Sequence, residues 1–442
     1  MTSKPTSSPV PRLDPIEFTN QWMSSYADGE ESLIYHDIST IMNYQPSMPL
    51  PHDARYEPVD CPHLEAGLIE WNDPSFAPPA DGSDVLIPPS SSVIIRVGQL
   101  TSTPESPYGR ITIPESSRLI FDDTGAGGPT IELDTLGITV EGALEAGSST
   151  CRIEGNIKIT LHGEYGNTDS VSDRHLSDTA ATDMGLKGIF VSNVEGARMD
   201  IHGKLYHPTW TRLAAAVPGT VSSAPSVRNS ELFLQDCVNW PDNGKIIVTT
   251  SHVKDTRGYN FNEEATIANS GVQCVVVDGR EYGKITLTSP LEHYHHAGEK
   301  EYQCEVGLLS RNIVIQGNDK SDPIDDTPLE CDSTASGWTK MPCPDTFLTG
   351  LGGHTIVVGQ AQGRLRGVEF HRMGMTNIMG RYPVHFHHHD PESGSVSMMT
   401  DCSVHRSYFR AISIHDAFNL KVERNTAFDI SGHAFYLGEW KR

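Results

Sequence analysis

One motif occurs three times near the C-terminal end of this chain. "GRYPVHFH" (380–387) aligns above "YFRAISIH" (408–415), and that above "ISGHAFYL" (430–437), at offsets of 28 and 22 residues. Each copy alternates apolar and polar residues, the period of a half-buried strand. A strand–turn unit recurring every ~20–30 residues cannot bury its apolar side alone, so its copies must stack, as in a parallel β-helix. From Trp71 onward similar short runs are set off by Gly, Pro and Asp: "SDVLIP", "SVIIRV", "GRITIP", "LGITVEGALEAG", "NIKITLHG", and later "GKIIVTT", "SRNIVIQG" and "HTIVVGQ". A β-sandwich is the competing architecture, but the Asn-Gly and Asp-Gly turns of its hairpins ("DNGK", "VDGRE") fall mostly in the middle third. The expectation is an all-β chain ending in a right-handed single-stranded parallel β-helix.

Composition narrows the partners. Among 442 residues, 57 Asp+Glu stand against 33 Lys+Arg, a formal charge of -24. That argues against nucleic acid and against an anionic membrane surface, which both need a basic footprint. It also weighs against a polyanionic glycan, unless a local basic cleft or bound cations offset the field. No stretch approaches the ~18 apolar residues of a membrane span, and the N-terminus, "MTSKPTSSPVPRLDPIEF", shows no apolar signal-peptide core. Eight cysteines, at 61, 151, 237, 274, 304, 331, 343 and 402, leave two readings open: disulfides in an oxidising compartment, or isolated buried thiols.

Longer motifs carry a family resemblance. "EWNDPSFAPPADGSDVLIPPSSSVII", "RITIPESSRLIFDD" and "LGITVEGALEAG" resemble the eight-glycine (G-eight) domain. "HGKLYHPTWTRL", "EVGLLSRNIVIQG", "RLRGVEFHRMG", "GRYPVHFH" and "NLKVERNTAFDISGHAFYL" follow in the order of that family's β-helical part. The family includes the fibrocystin-like proteins and the secreted and cell-surface hyaluronidases of animals. The resemblance implies an N-terminal extension (1–66), a G-eight domain (67–205), a connecting β region (206–344) and β-helix repeats (345–442). It also implies an extracellular or cell-surface location. Where the hyaluronidases carry a further globular insert, only the short interval "AAAVPGTVSSAPSVRNSELFLQDCVNWPDN" is present, which is closer to the fibrocystin-like branch. The chain stops at "GHAFYLGEWKR", where relatives continue through more coils, so a fragment of a longer protein is expected.

Period 2 selects the candidate site. In "RYPVHFH", Tyr382, Val384 and Phe386 share the core face, while Arg381, Pro383, His385 and His387 point outward. Stacking the next coil places His387 beside His415 and His385 beside Ser413, about 4.8 Å apart. His388 takes the opposite parity and His389 falls in the following loop. An outward groove holding His385, His387 and His415 can bind a metal or do acid–base work. Arg381 can hold a uronate carboxylate; Asp390 can steady a histidine or bind Ca²⁺; His433 is a further substrate-binding candidate. The metal is unassigned, with Ca²⁺ the cofactor considered. A ladder of purely structural histidines is the bland alternative. Glycoside cleavage would need two carboxylates, for which Asp390, Asp401, Asp416 and Asp429 are equally eligible. Weaker clusters are His293, His295 and His296 in "EHYHHAGE", His162 and Glu164, His202 and Lys204, and Asp122 and Asp123 in a Gly-rich turn. Three functions follow: a glycan-binding, adhesion-type surface module without turnover; a hyaluronidase-like polysaccharide depolymerase using Arg381, His385, His387 and His415; or a purely structural fragment of a surface protein. The expected partners are polysaccharide or glycoprotein glycans.

Overall fold

The computed structural model describes residues 59–163, 187–220, 230–251, 261–298, 302–322, 350–376 and 378–438. Glu164, Cys331 and Cys343 lie outside them. The chain coils around three parallel walls, contributing one strand to each wall per turn. The last coils show this repeat most plainly. Gln362–Arg366, Val368–His371 and Val384–His387 make one coil; Met398–Thr400, Ser403–Ser407 and Ile412–His415 the next; Lys421–Glu423, Thr426–Ile430 and Phe435–Gly438 the last. Each strand pairs in parallel with its counterpart one coil away. This is the expected parallel β-helix.

The walls pass without a break from the early segment into the late one. The first wall runs from Ile69–Glu70 through Ala143–Ala146 and Arg198–His202 to Gln362–Arg366 and beyond. Arg198–His202 pairs with both Ala143–Ala146 and Gln362–Arg366, so one sheet joins strands from before and after the middle third. Strand Ile131–Val140 explains how the other two walls share one sheet: residues 131–135 pair with Ile157–Leu161, and 137–140 with Gly188–Val191.

Alternation fills the interior. On the third wall Val140, Val191, Val357, Phe386, Ile414 and Leu437 stack in register, and the first four are buried in one continuous apolar core. The first wall contributes Leu119, Leu144 and Met199 in the same way. Gly363 follows Met199 in that row. A Cβ there would lie 2.9 Å from Phe386 Cε1, so the glycine makes room for the phenyl ring.

The middle third is built differently, as its turn signals foretell. Between Arg198–His202 and the return strand Ile313–Gly317, a six-stranded antiparallel sheet closes over its own core, which includes Leu232, Trp240, Ile246, Ile285 and Leu308. "VDGRE" is its hairpin turn: Asp278 (φ 51°) and Gly279 (φ 80°) join Glu263–Val277 to Arg280–Leu287. Two consecutive positive φ values suit the right-handed twist of a two-residue hairpin. Disulfide Cys237–Cys274 staples this sheet and Cys61–Cys151 closes the early coils, while Cys304 and Cys402 are buried thiols. Both readings of the cysteines therefore hold, for different residues.

The "EHYHHAGE" histidines serve this sheet. His295 Nε2 lies 2.7 Å from Glu263 Oε2, and Nδ1 donates to the Thr249 carbonyl at 2.8 Å. His296 packs between the Tyr294 hydroxyl and the Gly298 amide, and His293 lies against Phe261. Burial works against a charged His295, but hydrogen bonds to Cys304 and Glu263 outweigh it and raise its pKa to about 9. Despite burial, hydrogen bonds from His295 and nearby amides hold the Glu263 carboxyl below its ordinary value. The histidine contribution is therefore complete below its unfolded pKa of 6.5 and lost as pH rises through about 9. The carboxylate contribution is present above 4.5 and lost in more acidic solution. Denaturant titration should show stability falling by about 3 kcal/mol between pH 6.5 and 9.5, with most of that slope absent in His295→Phe. An equal slope in the variant would contradict the assignment.

Candidate functional site

The third-wall ladder fixes the outward residues as firmly as the inward ones. His385 is in register with Ile356 on one side and Ser413 on the other, and His387 with Val358 and His415. Four outward positions thus form a square: His385 and His387 on one strand, Ser413 and His415 on the next. Ring centroids are 4.9 Å apart for His385–His387, 5.0 Å for His387–His415 and 6.3 Å for His385–His415. One ligand atom from each histidine lies within 4.8 Å of the others.

Two positions depart from strict alternation. His388 has φ 54°, in the left-handed region, so the strand ends there and the side chain swings to the outer surface. Its Nδ1 donates to Asp416 Oδ2 at 3.0 Å, and its ring lies 4.1 Å from His387. His389 turns the other way, buried against Phe386 with Nε2 donating to the Val357 carbonyl. Tyr382 corrects the period-2 reading as well. Pro383 precedes the first paired residue, Val384, and Tyr382 lies outside the interior core: its ring meets His385 at 5.0 Å and Phe409 at 5.4 Å.

Burial grades the cluster. His385 is 3% exposed, whereas His387 and His415 are half-buried. Burial, reinforced by the repulsion that protonation beside His387 would bring, holds His385 well below the ordinary histidine value. Burial and the charges of His388 and His415 hold His387 down to about 3. Both imidazoles are neutral at physiological pH, so they act as hydrogen-bonding groups or ligands and carry no positive charge. His385 Nδ1 donates to the Gly380 carbonyl at 3.3 Å, and its Nε2 has no hydrogen-bond partner among the described residues. The Ser413 hydroxyl is buried and likewise without one.

The remaining candidates separate. Arg381 does not line an open groove: it is 4% exposed and donates from Nη1 to His354 Nε2 at 3.1 Å. Asp390 makes no hydrogen bond to a histidine among the described residues, though its charge favours protonated His389 next to it. Asp390 caps the short helix Pro391–Val396, accepting from the amides of Glu392 and Ser393. Asp-Pro before a short polar run is an N-cap signature, a signal present in the sequence. His433 is exposed at the rim, 5.6 Å from the Tyr436 ring. Of the four carboxylates, Asp416 reaches the cluster through His388, Asp401 pairs with Arg424, and Asp429 is exposed on the second wall. Of the turn carboxylates, Asp122 pairs with Arg96 and Asp123 accepts from the amides of Gly125, Glu154 and Gly155. His162 pairs with Asp134, and Lys204 with Glu154. His202 is buried beside Arg366 and Arg152, where burial and those charges push it down to about 3. Cys61, His63 and Cys151 also converge, but the two sulfurs are bonded to each other.

Arg410 and Tyr436 are the residues that sequence reasoning missed. Arg410 lies 3.6 Å from the Tyr436 ring centroid and donates to the Tyr382 hydroxyl at 3.1 Å. Tyr436 itself is in register with Ser413. The third repeat's undecided parity is thereby settled: Phe435 and Leu437 continue the core rows, and Tyr436 continues the outward one. A Cβ on Gly438 would meet Tyr436 Cε1 at 2.9 Å and His415 Cδ2 at 3.2 Å, so the glycine lets both rings close over the wall.

Walls and cluster together define a parallel β-helix protein with an imidazole- and aromatic-lined outer face. Comparison with known families identifies it further: residues 70–214 match the G8 domain model and residues 350–439 the CEMIP beta-helix model. The chain belongs to this G8 β-helix family. A G8 domain-containing protein of Dictyostelium discoideum is 35% identical over 85% of the chain, and Protein rliB of the same organism is equally similar. Human Fibrocystin-L is 28% identical over 87% of the chain. The chain spans only 28% of the length of each of the two Dictyostelium proteins and 8% of Fibrocystin-L. A bacteriophage AP22 tailspike in complex with Acinetobacter baumannii capsular saccharide aligns over 80% of this chain and 41% of its own at 7% identity, but with a TM-score of 0.18 it carries no argument.

Proposed function

We propose that this chain is an extracellular or cell-surface module that binds polysaccharide or glycoprotein glycans on its third wall, without turnover. The observation that carries this reading is the composition of the outer face. Aromatic rings (Tyr436, Phe409), a guanidinium (Arg410) and neutral imidazoles line it, and among the described residues its nearest carboxylate, Asp416, is paired with His388. Aromatic bodies and fixed hydrogen-bonding groups suit a sugar's apolar faces and hydroxyls. Arg410 would receive a uronate carboxylate by a charge-assisted bond. The two disulfides support an oxidising location. Among the described residues no helix is long and apolar enough to cross a membrane.

A hyaluronidase-like depolymerase is the second reading, favoured by one observation: half-buried His387 lies beside the His388–Asp416 pair, which brings two imidazoles and a carboxylate to one place on the wall. Among the described residues, no second carboxylate, needed for ordinary glycoside hydrolysis, is placed beside it. A glycan array compared with a chain-length assay on hyaluronan and other uronic acid polymers separates the readings. Binding is expected without shortening, and Tyr436→Ala and Arg410→Ala are each expected to weaken it about tenfold or more. Shortening that disappears in His387→Ala would establish the second reading instead. No binding to any glycan would leave the purely structural role.

A further inference from the structure

We propose that His385, His387 and His415 form a binding site for a single transition-metal ion of the Zn²⁺ type on the outer side of the third wall. This goes beyond the glycan reading and does not depend on it.

Two of the ligands are two residues apart on one strand and the third is the ladder partner of His387, so rigid parallel strands set their spacing. The ligand atoms already lie within 4.8 Å of one another. Around tetrahedral Zn²⁺ with nitrogen bonds of about 2.0 Å, ligand atoms sit roughly 3.3 Å apart. Small side-chain rotations close that gap without moving the strands.

The hydrogen-bond pattern adds an independent observation. Buried polar atoms in native proteins nearly always have partners. His385 Nε2 is buried and has none among the described residues, and it belongs to the most buried ring of the three. Its other nitrogen donates to the Gly380 carbonyl, the outer-shell contact that fixes a metal-bound histidine's tautomer and leaves the lone pair on Nε2. The Ser413 hydroxyl occupies the fourth corner of the square, also buried and without a partner. A purely structural ladder of stacked histidines would satisfy these atoms within itself. Three imidazoles select the chemical class: Zn²⁺, Cu²⁺ or Ni²⁺ suit nitrogen donors, whereas Ca²⁺ and Mg²⁺ demand oxygen.

The test is calorimetric titration of the full chain, stripped with a chelator, using Zn²⁺ alone, with Ca²⁺ as a parallel arm. One equivalent of Zn²⁺ should bind with micromolar or tighter affinity, Ca²⁺ should not compete, and His433→Ala should behave as wild type. His387→Ala and His415→Ala should each weaken binding about 100-fold or more. Far-UV circular dichroism checks that each variant is folded, and His415→Gln replaces the alanine variant if it is not. Saturating Zn²⁺ should raise the melting temperature of the wild type but not of His415→Gln. Failure of the folded wild type to take up Zn²⁺, or uptake equal to wild type in folded His387 and His415 variants, overturns the proposal.

Discussion

Replacing Phe386 with alanine is expected to destabilise the protein by about 3–5 kcal/mol, the usual cost of deleting a fully buried phenyl ring. The ring has no exposed surface and stacks between Val357 and Ile414 on the wall that carries the histidines on its opposite side. The cavity cannot collapse readily, because the parallel ladders on both sides hold the flanking coils at fixed spacing. Gly363 supplies an internal check. Gly363→Ala alone should be destabilising, since its new methyl would press on the Phe386 edge at 2.9 Å. In the Phe386→Ala background the same methyl would enter the cavity, so its cost should shrink or change sign. Denaturant midpoints of the four proteins complete the cycle. Additive effects would show that the two residues do not share the space the structure assigns them.

Glu369→Ala should cost a comparable amount, about 3–5 kcal/mol, for an electrostatic reason. On the second wall the Glu369 carboxylate accepts from the Arg311 amide at 2.8 Å and lies 2.8 Å from His405 Nε2. Arg311 is buried, and its guanidinium donates to the carbonyls of Leu308, Ser310 and Asp401. The first two belong to the exit of the antiparallel sheet and the third to a corner of the β-helix. Removing Glu369 strips a nearby negative charge from a desolvated guanidinium and leaves a buried amide unpaired. Glu369→Gln keeps the acceptor and loses only the charge, so it should fall between alanine and wild type. Thermal unfolding of the three proteins checks the order; a glutamine variant as damaged as alanine would assign the whole effect to charge.

Much of this was legible in the sequence wherever two periods agreed. Alternation along a strand and recurrence between coils together place His387 beside His415 and His385 beside Ser413, and the ladder has that register. Legibility ended where the backbone leaves the strand. The left-handed conformation of His388 brings a fourth imidazole to the cluster against its parity, and the corner at Pro383 takes Tyr382 out of the core row. Arg410 lies at a corner too, where no periodicity announces which way a side chain faces. Arg381, on the preceding coil, looked like the groove cation but is buried against His354. Asp390 was readable, but as a helix cap. The antiparallel sheet was hinted at by its turns alone, since hairpin signals mark strands locally and do not say where in a coil the chain departs and returns.

The most direct test of the third wall as the glycan site is histidine ring NMR. The protein would be titrated with the oligosaccharide that gives the strongest array signal, in wild type and in Arg410→Ala. We expect the ring resonances of His387 and His415 to shift saturably in wild type while buried His295 stays fixed, and the shifts to require much higher ligand concentrations in Arg410→Ala. Saturable binding that leaves His387 and His415 unmoved, or that Arg410→Ala does not weaken, would contradict the assignment of glycan recognition to this wall.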